Sequence, residues 1–294
     1  FLFIMDQIDF LLAMQKQKFK RKLVQLNETP LFIRELPIIS GGVGAGLWEG
    51  GEMLANYILD NKNYFIQFKE CLELGSGVGL TGFAMSTIIK TYLSDYKSSI
   101  LQNMQYNLWM NTNAVEDKEE LLDGGDYNNY KTNSKLLKKN TMISYLNWFE
   151  PKNQELPETD LSISILTQDQ KSIITNIQNM KFDLIFGSEL NYCLETIEPL
   201  IATIHEYLSK DGLFVEMCSI YRGQGPIIFF KQLKAQGYTV KAFWLDQKYY
   251  NVKSCQRQRD EKYLLWFVSK KQCKIQISDE CDWEQIVFDD HKIK

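Results

Sequence analysis

Short apolar runs alternate with amphipathic stretches along most of the chain. The apolar runs predict strands at residues 71–74, 91–94, 141–146, 182–187, 212–218, 238–244 and 263–268. Apolar positions at helical spacing predict helices at residues 52–61, 80–90, 98–110, 196–208 and 226–236. This alternation is typical of an α/β fold with a mostly parallel sheet and helices on both faces. No helix-length pattern separates the last two strands, so we expect a Rossmann-like, seven-stranded sheet with an antiparallel C-terminal edge strand.

The segments outside this alternation are basic, polar or rich in glycine. Residues 4–26 predict an N-terminal helix whose basic end is a solvated face, a nuclear signal or an RNA contact, and residues 31–36 should be extended. The glycine-dense run 41–46 predicts a flexible arm, and the polar stretches 116–139 and 151–170 predict loops. We expect three regions: an extension (1–45), a main domain (46–270) with insertions near 113–140 and 151–178, and a tail (271–294).

Composition narrows the class of protein. The chain is 45% apolar and 24% charged, as soluble globular proteins are, and its net charge of −4 argues against nucleic acid as a partner. Six scattered cysteines and only two histidines show no zinc-ligand spacing, so we expect neither a metal site nor a disulfide framework. We also expect no signal peptide and no membrane span. These features predict a cytoplasmic monomer, with the nucleus as the alternative location.

A glycine-rich turn at residues 71–82 joins a predicted strand to a predicted helix. Such a corner binds nucleotide cofactors in α/β folds. The dinucleotide pattern G-x-G-x-x-G fails from Gly75 but fits from Gly77, so the glycines alone leave two cofactor classes open. Glu73 favours S-adenosylmethionine, because a carboxylate beside the turn would repel a pyrophosphate and can hold a cationic amino group. The paired C-terminal strands favour the same choice.

Two further residues are candidates for the cofactor pocket. Asp95 directly follows the strand predicted at residues 91–94 and lies twenty residues beyond Gly75. An acid at this spacing accepts hydrogen bonds from ribose hydroxyls. The alternative is that Asp95 caps the helix predicted at residues 98–110. Trp48 precedes the helix at residues 52–61, where it either packs in the core or forms a wall of the pocket.

Five features in order carry a family resemblance: Trp48 before a helix, the Glu-Leu-Gly-Ser-Gly run, the stretch 107–111, Asn147-Trp148 and the stretch 182–192. With them the chain resembles the seven-β-strand protein-lysine methyltransferases, whose members modify elongation factor 2, calmodulin and molecular chaperones. It is most similar to the elongation-factor-2 branch. The resemblance covers residues 46–268.

The resemblance implies a role for each matching residue. Glu73, Gly75 and Gly77, with Ser76 between them, would hold the methionyl end of the cofactor. Asp95 would bind the ribose and Trp148 would flank the adenine, and Ser188 would complete the cofactor set. Glu189 and Tyr192 would orient the target amine, with Glu189 in place of the family's usual aspartate. The implied substrate is a lysine of a protein such as a translation factor or a chaperone.

Two other classes of function stay open at this point. The acceptor could be another nucleophile, namely a protein histidine, an N-terminal amine or RNA. The acidic composition and the absence of an Asn-Pro-Pro-Tyr-type motif disfavour RNA. The fold could also serve as a non-catalytic binding module, although such a module would have no need to keep the intact run from Glu73 to Gly82.

Overall fold

The computed structural model describes residues 20–27, 29–113, 134–153, 155, 166, 173–221, 223–252, 262–270 and 280–285. Residues 4–19 of the predicted N-terminal helix lie outside the described residues. So do residues 116–133 of the first predicted loop and nearly all of the second, at residues 151–170. The proposed boundaries of extension, main domain and tail therefore stay a prediction.

A seven-stranded sheet forms the centre of the structure. Its strands are β3 (Glu70–Glu73), β4 (Lys90–Asp95), β5 (Thr141–Tyr145), β6 (Phe182–Ser188), β7 (Leu208–Ser219), β8 (Thr239–Trp244) and β9 (Tyr263–Ser269). They lie in the order β5-β4-β3-β6-β7-β9-β8. Neighbours from β5 to β7 are parallel, and β9 is antiparallel to both β7 and β8. The predicted fold class is confirmed.

The antiparallel strand β9 lies one place inside the sheet, and β8 forms the edge. Every residue of β9 is buried, whereas the first three residues of β8 are only half-buried. The more apolar of the two strands therefore takes the position with a neighbour on each side. The strand with Lys241 takes the edge, where a lysine also discourages pairing with another chain.

Helices cover both faces of the sheet. They are α1 (Ile38–Gly41), α2 (Glu49–Asp60), α3 (Lys62–Phe65), α4 (Leu80–Ser86), α5 (Ser98–Thr112), α6 (Ser134–Asn140), α7 (Ile197–Tyr207) and α8 (Gly225–Ala235). Phe214 of β7 packs in the cluster that contains residues of α7 and α8, and the adjacent Val215 packs in the cluster that contains residues of α2. Successive side chains of a strand point to opposite faces, so the sheet is buried on both. None of the described helices is long and apolar enough to cross a membrane.

The first described residues form a β-hairpin, which corrects the end of the predicted N-terminal helix, at residues 20–26. Strand β1 (Lys20–Leu26) pairs antiparallel with β2 (Thr29–Glu35). In β1 the buried Val24 and Leu26 flank the exposed Gln25, which is the alternation of a half-buried strand. Tertiary packing thus decides over the weaker helical spacing of this segment. The extended conformation expected at residues 31–36 is confirmed for β2, which ends at Glu35.

Three asparagines of α5 dock the hairpin onto the main domain. Asn103, Asn107 and Asn111 are spaced by one helical turn and face the free edge of β2. Asn107 and Asn111 accept hydrogen bonds from the backbone N–H groups of Arg34 and Phe32, at 2.9 and 2.8 Å. They also donate to the carbonyls of these two residues. The asparagine side chains thus satisfy an edge strand that would otherwise be buried with unpaired polar groups.

Two further predictions need correction. The glycine-dense run 41–46 is folded, because α1 is followed by a 3-10 helix at Gly42–Ala45 with Ala45 buried. Residues 134–139, predicted as part of a loop, belong to α6, where Leu137 is buried in the hydrophobic core. In both cases one buried apolar residue anchors a segment whose remaining residues gave no apolar pattern.

Candidate active site

A cavity of about 470 Å³ opens at the carboxyl ends of the parallel strands β3 to β6. Ligands of open α/β sheets bind at this edge. All the residues that the sequence singled out for the site line this one cavity: Trp48, Glu73, Gly75, Ser76, Gly77, Asp95, Trp148, Ser188, Glu189 and Tyr192. Their separate roles remain predictions, but the structure brings them together.

The glycine turn after β3 provides a surface without side chains. Gly75 and Gly77 have φ values of 59° and 52°, in the left-handed region that favours glycine. A Cβ at Gly75 would lie 3.3 Å from the indole of Trp148, so any larger side chain would fill the cavity. Ser76 fastens the turn to β4, since its N–H donates to the Ser94 carbonyl and its hydroxyl accepts from the Ser94 N–H, both at 2.9 Å.

Glu73 places a buried carboxyl group at the end of β3. Its side chain is 3% exposed, and within the described part of the chain its Oε2 has no hydrogen-bond partner. Burial raises the pKa of this carboxyl to about 8, against the opposing effect of the Ser76 side chain and the Gly82 backbone. A buried acceptor that lacks a donor fits the cationic amino group of a bound amino acid.

Asp95 lies at the end of β4, half-buried and next to the glycine turn. Its Oδ2 accepts a hydrogen bond from the Gly77 N–H at 3.2 Å, and its Oδ1 accepts one from the Tyr96 N–H at 2.8 Å. The residue that caps α5 is Lys97, and it does so without a side-chain hydrogen bond. Asp95 is therefore not the helix cap, which was the alternative role. Asp95 lies in the wall of the pocket, and its contact with a ribose stays a prediction.

The glycine-dense run that was predicted as a flexible arm forms one wall of the cavity. Gly44 packs on the turn, because a Cβ at Gly77 would lie 3.2 Å from the Gly44 carbonyl oxygen. Trp48 closes this wall, and its indole N–H donates to the Val43 carbonyl at 2.7 Å. Trp148, which packs against Gly75, forms a further part of the cavity wall.

Glu189 and Tyr192 belong to the loop that follows β6. Glu189 is 8% exposed and has a φ of 56°, a left-handed conformation that is rare for a residue with a Cβ. Its carboxylate lies over the first turn of α2, since a Cβ at Gly50 would be 2.9 Å from Glu189 Oε1. Local backbone strain of this kind is found at functional sites more often than elsewhere.

Four aromatic side chains border the cavity and remain open to solvent: Trp48, Tyr96, Phe149 and Tyr192, which are between 42% and 63% exposed. Of the charged residues that line the cavity, three are acids (Glu73, Asp95 and Glu189) and Lys97 is the cation. An acidic cavity with an aromatic mouth fits cationic ligands. The described residues contain no group of three or more side chains that could hold a metal ion.

Three residues of this region are not among those predicted from the sequence. Tyr96 and Phe149 each follow a predicted site residue, and this adjacency was the available signal. The third is Glu216 of β7, which is fully buried beneath the loop that follows β6. A single acid inside the apolar run 213–218 marks it, because burying a carboxylate is costly unless it has a partner.

Parts of the chain are similar to known proteins. A family model described as lysine methyltransferase matches residues 25–123, which include the end of β1, all of β2, the glycine turn and Asp95 but neither Glu189 nor Tyr192. An uncharacterized protein of Dictyostelium discoideum is 38% identical over 78 residues, which are 26% of this chain and 21% of that protein. The matched segment thus spans about a fifth of that relative's length.

Solved methyltransferase structures have a similar course of the chain. An O-methyltransferase from Bacillus cereus in complex with SAH is 10% identical, covering 79% of this chain and 86% of that one, with a TM-score of 0.44. The glycopeptide N-methyltransferase MtfA is 11% identical, covering 76% and 96%, with a TM-score of 0.45. Neither of these two likenesses reaches a TM-score of 0.5, so neither bears on the chemistry of this chain.

The family match, the order of the strands and the acidic cavity at the glycine turn point the same way. Glu73, whose Oε2 has no hydrogen-bond partner among the described residues, and the surface at Gly75 and Gly77 fit the amino-acid end of S-adenosylmethionine. The pocket therefore suits S-adenosylmethionine as a cofactor, and the part of the chain that carries the glycine turn matches the lysine methyltransferase model.

Proposed function

We propose that this protein transfers a methyl group from S-adenosylmethionine to the side-chain amine of a lysine in a protein substrate. The observation that supports the lysine acceptor most directly is Glu189, a buried carboxylate that lines the cofactor pocket on the same loop as the half-exposed Tyr192. The family match supports the same acceptor, although it ends at residue 123, before the loop that carries Glu189. A translation factor is the narrower prediction, and it rests on the sequence resemblance alone.

The pocket residues divide the work between binding and orientation. When bound, S-adenosylmethionine supplies an electrophilic methyl group on a sulfonium. Glu73 would hold the amino group at one end of the cofactor and Asp95 the ribose hydroxyls. Trp148, packed on Gly75, would cover the adenine. A cofactor fixed along its length in this way presents its methyl group to one place, which is where orientation contributes most to the rate.

The acceptor side must deliver a neutral amine. A lysine has an ordinary pKa near 10.4 and reaches the pocket protonated, yet its nitrogen lone pair has to attack. Glu189 attracts the ammonium group and then accepts a hydrogen bond from the amine, which fixes the direction of the lone pair. Because Tyr192 and Tyr96 at the mouth are about half exposed, the proton can leave to water.

The aromatic mouth suits the side chain that would pass through it. The four methylenes of a lysine can pack between apolar ring faces, and its cationic head is attracted to them. Trp48, Tyr96, Phe149 and Tyr192 are all exposed at the cavity, and an exposed group of aromatic side chains on a protein surface often marks a binding site.

The proposal is tested by incubating the protein with radiolabelled S-adenosylmethionine and an array of N-acetylated peptides that contain lysine. Each peptide is paired with a copy in which lysine is replaced by arginine. We expect label only in lysine peptides and its loss with Glu189→Gln. Glu195→Gln, which changes a fully exposed acid of the same region, is the matched control and should keep activity. Adding elongation factor 2 and chaperones as whole proteins tests the narrower prediction.

Other outcomes would replace the proposal. Label on histidine peptides, on unacetylated N-termini or on added RNA would identify a different acceptor. Tight binding of S-adenosylmethionine without transfer to any of these would favour the non-catalytic binding module.

A further inference from the structure

A buried carboxylate supports the loop that carries Glu189. Glu216 lies on β7 opposite Gly187 of β6 and has no exposed surface. Its Oε1 accepts a hydrogen bond from the Leu190 N–H and its Oε2 accepts one from the Asn191 side-chain amide, both at 3.1 Å. One acid of the core thus holds the two residues that directly follow Glu189.

Burying Glu216 at this position costs desolvation free energy. Its neighbours in the strand, Val215 and Met217, are apolar and fully packed. Burial raises the pKa of the Glu216 carboxyl well above its usual range, and the nearby Glu189 raises it further. An apolar side chain would fill the space at lower cost, so the hydrogen bonds of the acid need a purpose beyond packing.

The loop above Glu216 cannot keep its shape by local preference. Glu189 is left-handed at a φ of 56°, and a residue with a Cβ adopts that conformation only when its surroundings impose it. Its N–H donates to the Met217 carbonyl at 2.9 Å. The first residue of α8 packs tightly against the loop, because a Cβ at Gly225 would overlap the Asn191 carbonyl oxygen. Contacts with β7 and α8 therefore define where Glu189 points.

We propose that the Glu216–Asn191 pair is a positioning device that holds the loop at residues 189–192, and with it the Glu189 carboxylate, in place for the acceptor amine. This inference rests on the proposed function, because it assigns a purpose to the position of Glu189. Glu216 touches neither cofactor nor substrate in this account, and it acts through the backbone of Leu190 and the side chain of Asn191.

Three variants and one control test the device. Glu216→Leu removes both acceptors. Glu216→Gln keeps an acceptor for the Leu190 N–H, and its amide can donate to Asn191 Oδ1, which has no partner among the described residues, once the Asn191 amide rotates. Asn191→Ala removes one bond from the other side. Thr203→Val removes a buried hydrogen bond to the Pro199 carbonyl, in a residue that does not line the cavity, and serves as the control.

Hydrogen exchange reports on the loop without any substrate. We expect Glu216→Leu to speed amide exchange at residues 190–191 by about tenfold or more, Asn191→Ala by less, and Glu216→Gln and Thr203→Val hardly at all. On the lysine peptide with the highest label, kcat should fall by about 10- to 100-fold with Glu216→Leu, less than for loss of Glu189 itself. The affinity for S-adenosylhomocysteine should stay the same, and Glu216→Gln should restore most of kcat.

The outcomes separate the two proposals. If no lysine peptide is labelled, the proposed function is wrong, and hydrogen exchange still decides whether Glu216 holds the loop. If Glu216→Leu leaves both exchange and kcat unchanged, the positioning proposal is overturned. Should Glu216→Leu fail to fold, Asn191→Ala decides: an unchanged kcat and unchanged exchange at residue 190 overturn the proposal in the same way.

Discussion

Two loops leave adjacent parallel strands at the same edge of the sheet and meet in the pocket, yet they are built differently. The loop after β3 adopts left-handed backbone at Gly75, Gly77 and Gly79, where glycine has no steric penalty. The loop after β6 adopts it at Glu189, where a Cβ makes it costly. The first loop keeps its shape through its own composition. The second depends on support from Glu216, Met217 and Gly225.

Under the proposed function, the difference corresponds to what each loop has to do. A cofactor that is the same for every methyltransferase can be held by backbone and by a surface without side chains. An acceptor amine needs a charged side chain at one position, and glycine cannot supply it. We call the loop after β3 the cofactor loop and the loop after β6 the acceptor loop. We expect the cofactor loop to lose its function when a side chain is added, and the acceptor loop when a side chain is removed.

The largest effect is expected from a side chain in the cofactor loop. Gly75→Arg places a long chain between Leu190 and Trp148, which a Cβ alone would already approach to 3.1 and 3.3 Å. We expect the affinity for S-adenosylhomocysteine, measured by calorimetry, to fall by at least about 100-fold, which corresponds to nearly 3 kcal/mol.

Gly237→Arg is the matched control, because Gly237 is also left-handed, at a φ of 88°, but a Cβ there would meet no described atom within 4 Å. Both variants should melt cooperatively and lose about 1–2 kcal/mol of stability from backbone strain. Binding that survives Gly75→Arg would show that the turn does not hold the cofactor.

The acceptor loop should respond to the loss of its charge. Glu189→Gln keeps the size of the side chain and removes its ionic hydrogen bond, so we expect turnover of the lysine peptide to fall by about 10²–10³-fold. The affinity for S-adenosylhomocysteine should hardly change. Tyr192→Phe, which loses only a half-exposed hydroxyl, should cost less. Full activity of Glu189→Gln would make this acid structural.

How far the sequence predicts the site follows from the same contrast. Glycines beside a strand end are visible in the sequence, so the cofactor loop, Glu73 and Asp95 could all be named before the structure was known. The support of the second loop comes from Glu216, more than twenty residues away, and no local pattern connects it to Glu189. The wall at Gly42–Ala45 was misjudged for a similar reason, because Gly44 is ordered by contact with Gly77.

A smaller effect should appear in the pH dependence of cofactor binding. Burial raises the pKa of Glu73 to about 8 in the ligand-free protein, so at pH 6–7 binding a cationic amino group requires Glu73 to release its proton. The affinity for S-adenosylhomocysteine should therefore rise with pH in this range, by up to about tenfold per unit. Glu73→Gln should bind more weakly with a flatter profile. A wild-type profile as flat as that of the variant would show that Glu73 is already ionised.

The same shift affects the stability of the ligand-free protein. Because the folded pKa lies above the ordinary value of 4.5, the contribution of Glu73 is fully present below pH 4.5 and is lost as the pH rises through about 8. Melting curves of Glu73→Gln should lack this loss. The charge of Asp95 also raises the pKa of Glu73. Asp95 is present in both the wild type and Glu73→Gln, so its own titration contributes to the pH dependence of both melting temperatures.

The smallest effect is expected on stability, when Glu189 is replaced by glycine, the residue at the left-handed positions of the loop after β3. Glu189→Gly and Glu189→Ala both remove the carboxylate, and both should be inactive on the lysine peptide.

Only glycine relieves the left-handed strain at a φ of 56°, which costs an L-residue about 1–2 kcal/mol. Glycine also makes the unfolded chain more flexible, which offsets about 0.4–1 kcal/mol of that gain. The glycine variant should thus be more stable than the alanine variant by about 0.5–1 kcal/mol, or roughly 1–3 °C in Tm for a chain of this size. Equal melting temperatures would mean that Glu189 stores no strain, and the loop after β6 would then not need the support of Glu216.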